Sequence, residues 1–469
     1  MNDNKKDLIR VFVKGGIISP TDLYKICEIT EKVGNRYFHF GSRQDILFPA
    51  NDFPEQDITS IFEGLDVTFH KGRKNDFQNI VSSFVSLDIF PSTSWIKADT
   101  YHYILESFEN LPQYKINLVD PKQNLVPFFT GHINFVASSS ENYWYLFVRF
   151  PQKEKTMYPW PRLIHSHNIA KIAHLIGSSF ADFPDITIDQ LTMHQLITDK
   201  PKTQELELPE SFSPYYEGLN MVQNQYWLGL YWRNNKYGSD FMKAACRLCM
   251  DTNISTIHIT PWKSFIIKNI KPEYVLRWEK LMGKFGINMR HSFLELNWHL
   301  PVNDDDALKL KKFLVYELDQ QDISTFGLTF TIKTSSSMVL FTSIAIEQHE
   351  PGAELYNILL ARDFNPNSND YFYYAKDVKK ETLPALLLEI SKIYFSQLSP
   401  EKELTNPAET TSSSGSKKSR YQCKNCLTIY DPQFGDSLSN IPPGLGFDEL
   451  PIDYKCSVCE SGKEYFRLM

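Results

Sequence analysis

The sequence predicts an α+β chain: two tandem, diverged copies of one unit, then a flexible linker and a small metal-binding tail. Three observations predict it. The first is an internal repeat. At one constant offset Cys27 falls on Cys246 and His39 on His258, each pair inside the same local pattern. The second is a break in composition. Residues 399–420 read SPEKELTNPAETTSSSGSKKSR, with hardly a large apolar side chain. Such a stretch cannot bury enough surface to order itself, and as a flexible coil its ends would lie about 25 Å apart. The third is the placement of cysteine. Three of the seven lie ahead of this break and four behind it. In a reducing compartment that clustering reads as metal chemistry rather than disulfides.

Each copy opens on a helix, Pro20 to Val33 in the first and Ser239 to Asp251 in the second, with apolar residues at 3–4 spacing. A short alternating strand follows: Tyr37-Phe38-His39-Phe40, matched by Thr256-Ile257-His258-Ile259. Then comes a polar corner, Ser42-Arg43-Gln44 against Pro261-Trp262-Lys263, and a second apolar run, Ile46-Leu47-Phe48 against Phe265-Ile266-Ile267. Each unit continues into a longer α/β stretch. Strands are expected at Tyr114–Leu118 and Trp144–Val148, and a helix over His167–Phe180. In the second copy strands are expected at Met338–Ile346 and Tyr356–Leu360, with a helix over Leu383–Leu398. A pseudo-twofold axis relating the copies is the natural arrangement.

Composition is that of a globular protein. In 469 residues there are 49 Lys+Arg and 56 Asp+Glu, a formal charge of -7, which gives no nucleic-acid footprint. The length suggests two to four domains. No apolar run approaches the ~18–20 residues of a membrane helix, and MNDNKKDLIR lacks a signal-peptide core. A cytoplasmic location follows as an expectation. Aromatic residues reach 14%, enough for a large core or a pocket for a flat ligand.

In the tail, Cys423-x2-Cys426 and Cys456-x2-Cys459 are separated by the stretch 427–455. Each pair presents two thiolates from one tight turn, and together they make a tetrahedral cage that suits zinc or iron. Zinc ribbons more often separate their pairs by about 15–20 residues, a shorter gap than this one. Between the pairs stand Tyr430-Asp431-Pro432, Gly435-Asp436, Pro443-Gly444, Phe447, Leu450-Pro451 and Asp453-Tyr454, with Lys463 and Phe466 beyond. With Tyr421 ahead of the first cysteine, residues 421–469 closely resemble rubredoxin. The resemblance implies one iron held by Cys423, Cys426, Cys456 and Cys459, cycling between ferric and ferrous states. It also implies a core of Tyr421, Tyr430, Phe447, Tyr454 and Phe466. Where the family places Gly after the second and fourth cysteines, this chain has Leu427 and Glu460, which should strain the knuckles. Tyr454 replaces a common Trp, and Ser457 a common Pro. The tail carries four basic and seven acidic residues, a formal -3 that favours a basic partner surface.

The body resembles the nitrite and sulfite reductase family, more distantly. The resemblance rests on Gly15-Gly16, the helix from Pro20, Gly34, the corner Ser42-Arg43-Gln44 and Asn79-Ile80. In the second copy it rests on Trp227-Leu228-Gly229 and His258-Ile259-Thr260-Pro261-Trp262. It implies a first ferredoxin-like half-domain (1–110), a first α/β lobe (111–215), a second half-domain (216–290) and a second lobe (291–398). The linker (399–420) and the rubredoxin-like domain (421–469) follow. The family's [4Fe–4S] cluster and sirohaem are held through four cysteines after the second half-domain. Between Cys249 and Cys423 this chain has no cysteine, so the expectation is no [4Fe–4S] cluster. Sirohaem is then disfavoured, although the resemblance implies Arg43 and Gln44 as its contacts. An Arg suits a tetrapyrrole carboxylate; the competing reading is that Arg43 and Gln44 anchor a strand corner, and it is slightly favoured.

Lys115 and Lys263 are weaker candidates of the same kind as Arg43, and the basic run His70-Lys71-Gly72-Arg73-Lys74 reads first as a solvated loop, with an anionic cofactor or the acidic tail as the alternative partner. Cys246-x2-Cys249 lies on a predicted helix, where buried packing outweighs ligation. His165 and His167 share strand spacing but no partner motif. The expected function is one-electron transfer to redox partner proteins, in an assimilatory nitrite or sulfite reductase system, by an iron tail tethered to a cluster-less scaffold. Two alternatives stand beside it. One is a tetrapyrrole-binding reductase fed by the rubredoxin iron. The other is a non-redox binding module with structural zinc.

Overall fold

The backbone carries the repeat at one constant offset over residues 20–49 and 239–268. The computed structural model describes residues 7–50, 53–63, 65, 67–72, 76–152, 156–194, 200–209, 216–289, 297–321, 325, 327–335, 338–348 and 354–398. In the tail it describes 420–426, 428–432, 435–436, 439, 441 and 444–468. The first copy builds β1 (Leu8–Phe12), β2 (Ile17–Ile18), α1 (Pro20–Lys32), β3 (Tyr37–Phe40), β4 (Ile46–Pro49), α2 (Glu55–Phe62) and β5 (Thr68–Gly72). Its lobe adds β6 (Ile80–Ser82), α3 (Ala98–Glu106), β7 (Ile116–Val119), β8 (Ile133–Ala137), β9 (Tyr143–Val148), β10 (Tyr158–Pro159), β11 (Ile164–His165), α4 (Ile169–Asp182) and α5 (Ile188–His194). β6 and α3 fall inside the stretch 1–110 expected as half-domain, but β6 pairs with β7 and α3 packs in the lobe core. The second copy builds β12 (Gly218–Val222), β13 (Gln225–Leu230), β14 (Tyr237–Gly238), α6 (Ser239–Asp251), β15 (Ile257–Ile259), β16 (Phe265–Ile270) and α7 (Val275–Phe285). Its lobe adds β17 (Trp298–His299), α8 (Asp305–Gln320), β18 (Phe330–Lys333), β19 (Ile344–Gln348), β20 (Leu355–Ala361), β21 (Tyr371–Lys379) and α9 (Leu383–Gln397).

α1 and α6 begin and end at equivalent positions: Pro20 falls on Ser239 and Lys32 on Asp251. α1 starts at Ser19, whose side chain accepts from the Asp22 N–H at 3.0 Å, with Pro20 in the first helical position. Leu23, Ile26, Cys27 and Thr30 form its buried stripe, and α6 faces it with Met242, Ala245, Cys246 and Cys249. The three body cysteines are fully buried, and burial pushes the Cys246 thiol up to about 12. They pack the core, as expected.

The two half-domain sheets exchange edge strands. One runs β14-β3-β4-β1-β5 and the other β12-β13-β16-β15-β2. Tyr237 pairs with Phe38, and Ile18 with Ile257. The repeat carries one pair onto the other, Ile18 onto Tyr237 and Phe38 onto Ile257, which is the signature of a pseudo-twofold axis. The turns agree as well. Gly15 and Gly16 sit at φ 63° and 75°, and their counterparts Asn234 and Asn235 at 62° and 54°. Gln44 at 59° falls on Lys263 at 60°. Glycine is required at position 16, because a Cβ there would lie 2.7 Å from the Gln44 side chain and 2.8 Å from the Ile259 carbonyl oxygen.

The lobes repeat too. β6, β7 and β8 are parallel and β9 returns antiparallel; β17, β18 and β19 are parallel, β20 returns antiparallel, and β21 pairs antiparallel with β20. Parallel neighbours need a crossover, which α3 and α8 supply. Each lobe has its own core, and a further aromatic cluster holding Tyr216, Trp227, Tyr231, Trp262 and Phe341 joins lobes to half-domains.

Some elements differ from expectation. The strand expected over Met338–Ile346 begins only at Ile344, because residues before it are held by side chains: Ser343 Oγ and Thr329 Oγ1 each accept the other's backbone N–H. The helix expected from His167 begins at Ile169, after a 3-10 turn over Ser166–Asn168. The His165 and His167 rings meet at a tilt of 54° with centroids 4.8 Å apart. Of the basic run, His70 and Lys71 lie on edge strand β5, and Lys71 Nζ donates to the Phe53 carbonyl; Arg73 and Lys74 lie outside the described residues. So does 399–419 of the expected linker. The body and tail form separate units, Met1–Gln397 and Leu398–Met469.

Candidate metal centre and body corner

The tail folds as a three-stranded sheet, with β22 (Tyr421–Cys423) between β23 (Ile429–Tyr430) and β24 (Phe466–Leu468). Tyr421 stacks on Phe447 at 4.0 Å, and Tyr430, Tyr454 and Phe466 complete the expected aromatic core. Two matched turns hang from this frame. The Cys423 N–H donates to the Thr428 carbonyl, and the Cys456 N–H to the Ser461 carbonyl, each at 2.8 Å. These turns aim four sulfurs at one point, with all ligand atoms within 4.8 Å of one another. Cys423 Sγ lies 3.6 Å from Cys459 Sγ, and Cys426 Sγ 3.5 Å from Cys456 Sγ. A tetrahedral centre with metal–sulfur bonds of about 2.3 Å has edges of about 3.8 Å, so the four cysteines fit one metal ion with little adjustment.

The sulfurs are not equivalent. Cys423 and Cys456 are buried, Cys426 and Cys459 half-buried. The Thr428 hydroxyl lies 3.1 Å from Cys426 Sγ and the Ser461 hydroxyl 3.1 Å from Cys459 Sγ. Asn425 Nδ2 donates to Ser461 Oγ at 2.8 Å, which leaves the Ser461 proton for sulfur. The Thr428 hydroxyl and backbone pull the Cys426 thiol down to about 6, and Ser461 lowers Cys459 in the same way. Burial pushes Cys456 up to about 11. Half of the cage is thus biased toward the thiolate that a metal requires. Neither hydroxyl was singled out in the sequence. Their common position, two residues after the second cysteine of each pair, was the available signal.

Glu460 adopts φ 57°, the left-handed conformation that the glycine argument anticipated; Leu427 lies outside the described residues. A non-glycine residue there costs roughly 1–2 kcal/mol. Glu460→Gly is therefore expected to stabilise the loaded tail by about 1 kcal/mol, read as a higher temperature for thermal loss of the iron absorbance.

Comparison with known proteins decides the family. The rubredoxin family profile matches residues 420–466, and the profile of the nitrite/sulfite reductase ferredoxin-like half-domain matches residues 1–66. Rubredoxin-2 of Desulfovibrio desulfuricans is 46% identical over 48 residues, covering 10% of this chain and 77% of that protein. The chain belongs to the rubredoxin family through its tail. Probable Rubredoxin-1 of Methanocaldococcus jannaschii is 49% identical over 49 residues, 10% of this chain and 61% of the relative. The anaerobic nitric oxide reductase flavorubredoxin of Salmonella paratyphi A is 36% identical over 67 residues, 14% of each chain. The body has a structural counterpart in the NirA protein of Mycobacterium tuberculosis, with a TM-score of 0.61 at 13% identity. That match covers 84% of this chain and 81% of NirA, and it establishes the fold. The rubredoxin tail implies iron-based electron transfer, and the body has a NirA-like fold whose first 66 residues match the ferredoxin-like half-domain. Iron in the rubredoxin cage would be held by the four cysteines and supply a one-electron ferric–ferrous couple.

Reduction places more negative charge on the sulfurs, so O–H···S contacts favour the reduced state. Replacing Thr428 by Val together with Ser461 by Ala is expected to lower the potential. The shift should be on the order of tens of millivolts, as about 0.5–1.5 kcal/mol per hydrogen bond implies for one electron. Spectroelectrochemical titration reads it.

In the body, Arg43 and Gln44 are met by protein groups. Arg43 donates through one guanidinium nitrogen to the Asn79 and Ile116 carbonyls, both at 2.7 Å, and through another to Asn117 Oδ1 at 2.7 Å. Gln44 Nε2 donates to the Ser82 carbonyl at 3.1 Å and the Ile259 carbonyl at 2.9 Å, and its Oε1 accepts the Ser82 N–H at 2.8 Å. Asn79 Nδ2 donates to the carbonyls of Val13, Arg43 and Gln44 at 2.6, 2.8 and 3.1 Å. The corner is a three-way clasp among both half-domains and the first lobe. Nearby, burial together with Lys115, Arg43 and Arg149 pulls His132 down to about 3.

Proposed function

We propose that this chain is a one-electron carrier. Its rubredoxin-type Fe(Cys)4 site serves a partner in a nitrite or sulfite reductase system of the cytoplasm, and the cluster-less body docks that partner. The observation that carries the reading is the convergence of Cys423, Cys426, Cys456 and Cys459 on one metal position. The acidic tail favours a basic partner face and a salt-sensitive encounter. A segment of low apolar content between the two units suits a tethered domain, whose effective concentration at a docking site reaches the millimolar range.

The commitment of both terminal nitrogens of Arg43 and of the Gln44 amide to internal hydrogen bonds supports a scaffold without tetrapyrrole. A second reading is a body that holds sirohaem, supported by the gathering of the cationic Arg43, Lys115 and Arg149 around the buried His132. Protein purified anaerobically after expression in iron-replete medium separates the readings. The carrier shows one iron per chain, rubredoxin-like charge-transfer bands and a one-electron titration. Near-stoichiometric tetrapyrrole bands would replace it with the reductase. Full zinc occupancy without a redox response would sink electron transfer altogether.

A further inference from the structure

The repeat diverges in chemistry at its polar corner. Gln44 and Lys263 occupy the same backbone position, in the same left-handed conformation. The Gln44 amide is fully spent on Ser82 and Ile259. Lys263 is 6% exposed, and its ammonium has no hydrogen bond or ion pair among the described residues. It borders a cavity of about 50 Å³ between the second corner and the start of the second lobe, walled by Trp262, Trp298 and Leu300.

Other polar groups reach the same cavity. His39 is buried there; its Nδ1 is paired with the Asn235 carbonyl at 2.6 Å, and its Nε2 has no partner. Lys311 Nζ lies on the cavity wall, 3.3 Å from Tyr231 Oη, and Lys236 is at the rim. Two carboxylates border the space. Asp304 is committed, accepting from the Ala307 N–H at 3.0 Å and from Thr334 Oγ1 at 3.0 Å. Asp305 is exposed at the helix start. A buried ammonium without a direct hydrogen bond is costly, and it is relieved by deprotonation or by an anion. Burial, with Lys311 as a like charge, pulls Lys263 down to about 7 against the opposing pull of the buried Asp45 carboxylate, which is itself paired with Arg10 at 3.2 Å, so the group is poised between those outcomes.

We infer that this cavity binds a small oxyanion, with the Lys263 ammonium as its principal ligand. His39 adds selectivity. With Nδ1–H given to Asn235, its neutral ring offers a lone pair at Nε2, which suits an oxyanion that still carries a proton, such as hydrogen phosphate. The site belongs to the second copy alone, because the first closes the equivalent position with an amide. The inference does not depend on what the rubredoxin tail does.

The test is calorimetric titration of the full chain with inorganic phosphate at pH 7 and constant ionic strength. Saturable binding near one phosphate per chain is expected. Lys263→Gln installs the residue that the first copy already carries in this conformation. It should keep the fold by circular dichroism and weaken binding on the order of tenfold or more, the loss of one charged hydrogen bond. Val302→Trp fills the cavity from its half-buried rim while leaving Lys263 in place, and should abolish binding. No saturable binding to the wild-type chain, or equal affinity in both variants, would overturn the site.

Discussion

Cys423→Ser is expected to remove the native iron absorbance completely and to unfold the tail while the body keeps its thermal transition. Cys423 is fully buried in the central strand of the tail, paired with Phe466, so its sulfur is both metal ligand and core atom. Serine offers a harder, smaller donor that cannot complete a soft tetrathiolate cage. Among the described residues the tail's core is eight buried side chains, two of which are themselves ligands. A fold this small depends on its staple, and metal binding in comparable folds contributes on the order of 10 kcal/mol. The body forms its own unit with its own clusters. Absorption spectroscopy and calorimetry of the variant test both halves of the expectation, and loss of the body transition would contradict the independence of the two units.

What the sequence disclosed followed from chemistry that is local in the chain. Four cysteines in two CxxC pairs announce their site without a fold, because two ligands three residues apart define each half of the cage. The repeat was legible from two coincidences, Cys27 with Cys246 and His39 with His258, since helix stripe and strand alternation preserve such positions. The strand exchange was not legible. β2 and β14 are two residues long, too short to show a period, and each finds its partner in the other copy of the repeat. The clasp role of Asn79 was hidden for a similar reason, as its three carbonyl partners come from distant turns. Arg43 and Gln44 were visible as a polar corner, but a corner motif does not say whether its donors face a ligand or the chain itself.

Gln44 lets that question be answered by stability. If it anchors the corner, Gln44→Ala strands the Ser82 N–H and the Ser82 and Ile259 carbonyls in the interior. Each unsatisfied buried group costs about 1–3 kcal/mol, so a loss on the order of 4 kcal/mol is expected. Gln44→Glu should be as damaging, because its carboxylate would face two carbonyl oxygens where an amide N–H₂ now donates. A residue whose only task is to contact a cofactor would show the opposite pattern: little change in the free protein, and least of all for the isosteric Glu. Urea unfolding followed by tryptophan fluorescence, with the slope unchanged between variants, measures the difference. The rubredoxin spectrum serves as an internal control, because a lesion confined to the body leaves the Fe(Cys)4 bands at full intensity. Wild-type-like midpoints for both substitutions would remove Gln44 from the clasp and return it to the tetrapyrrole reading.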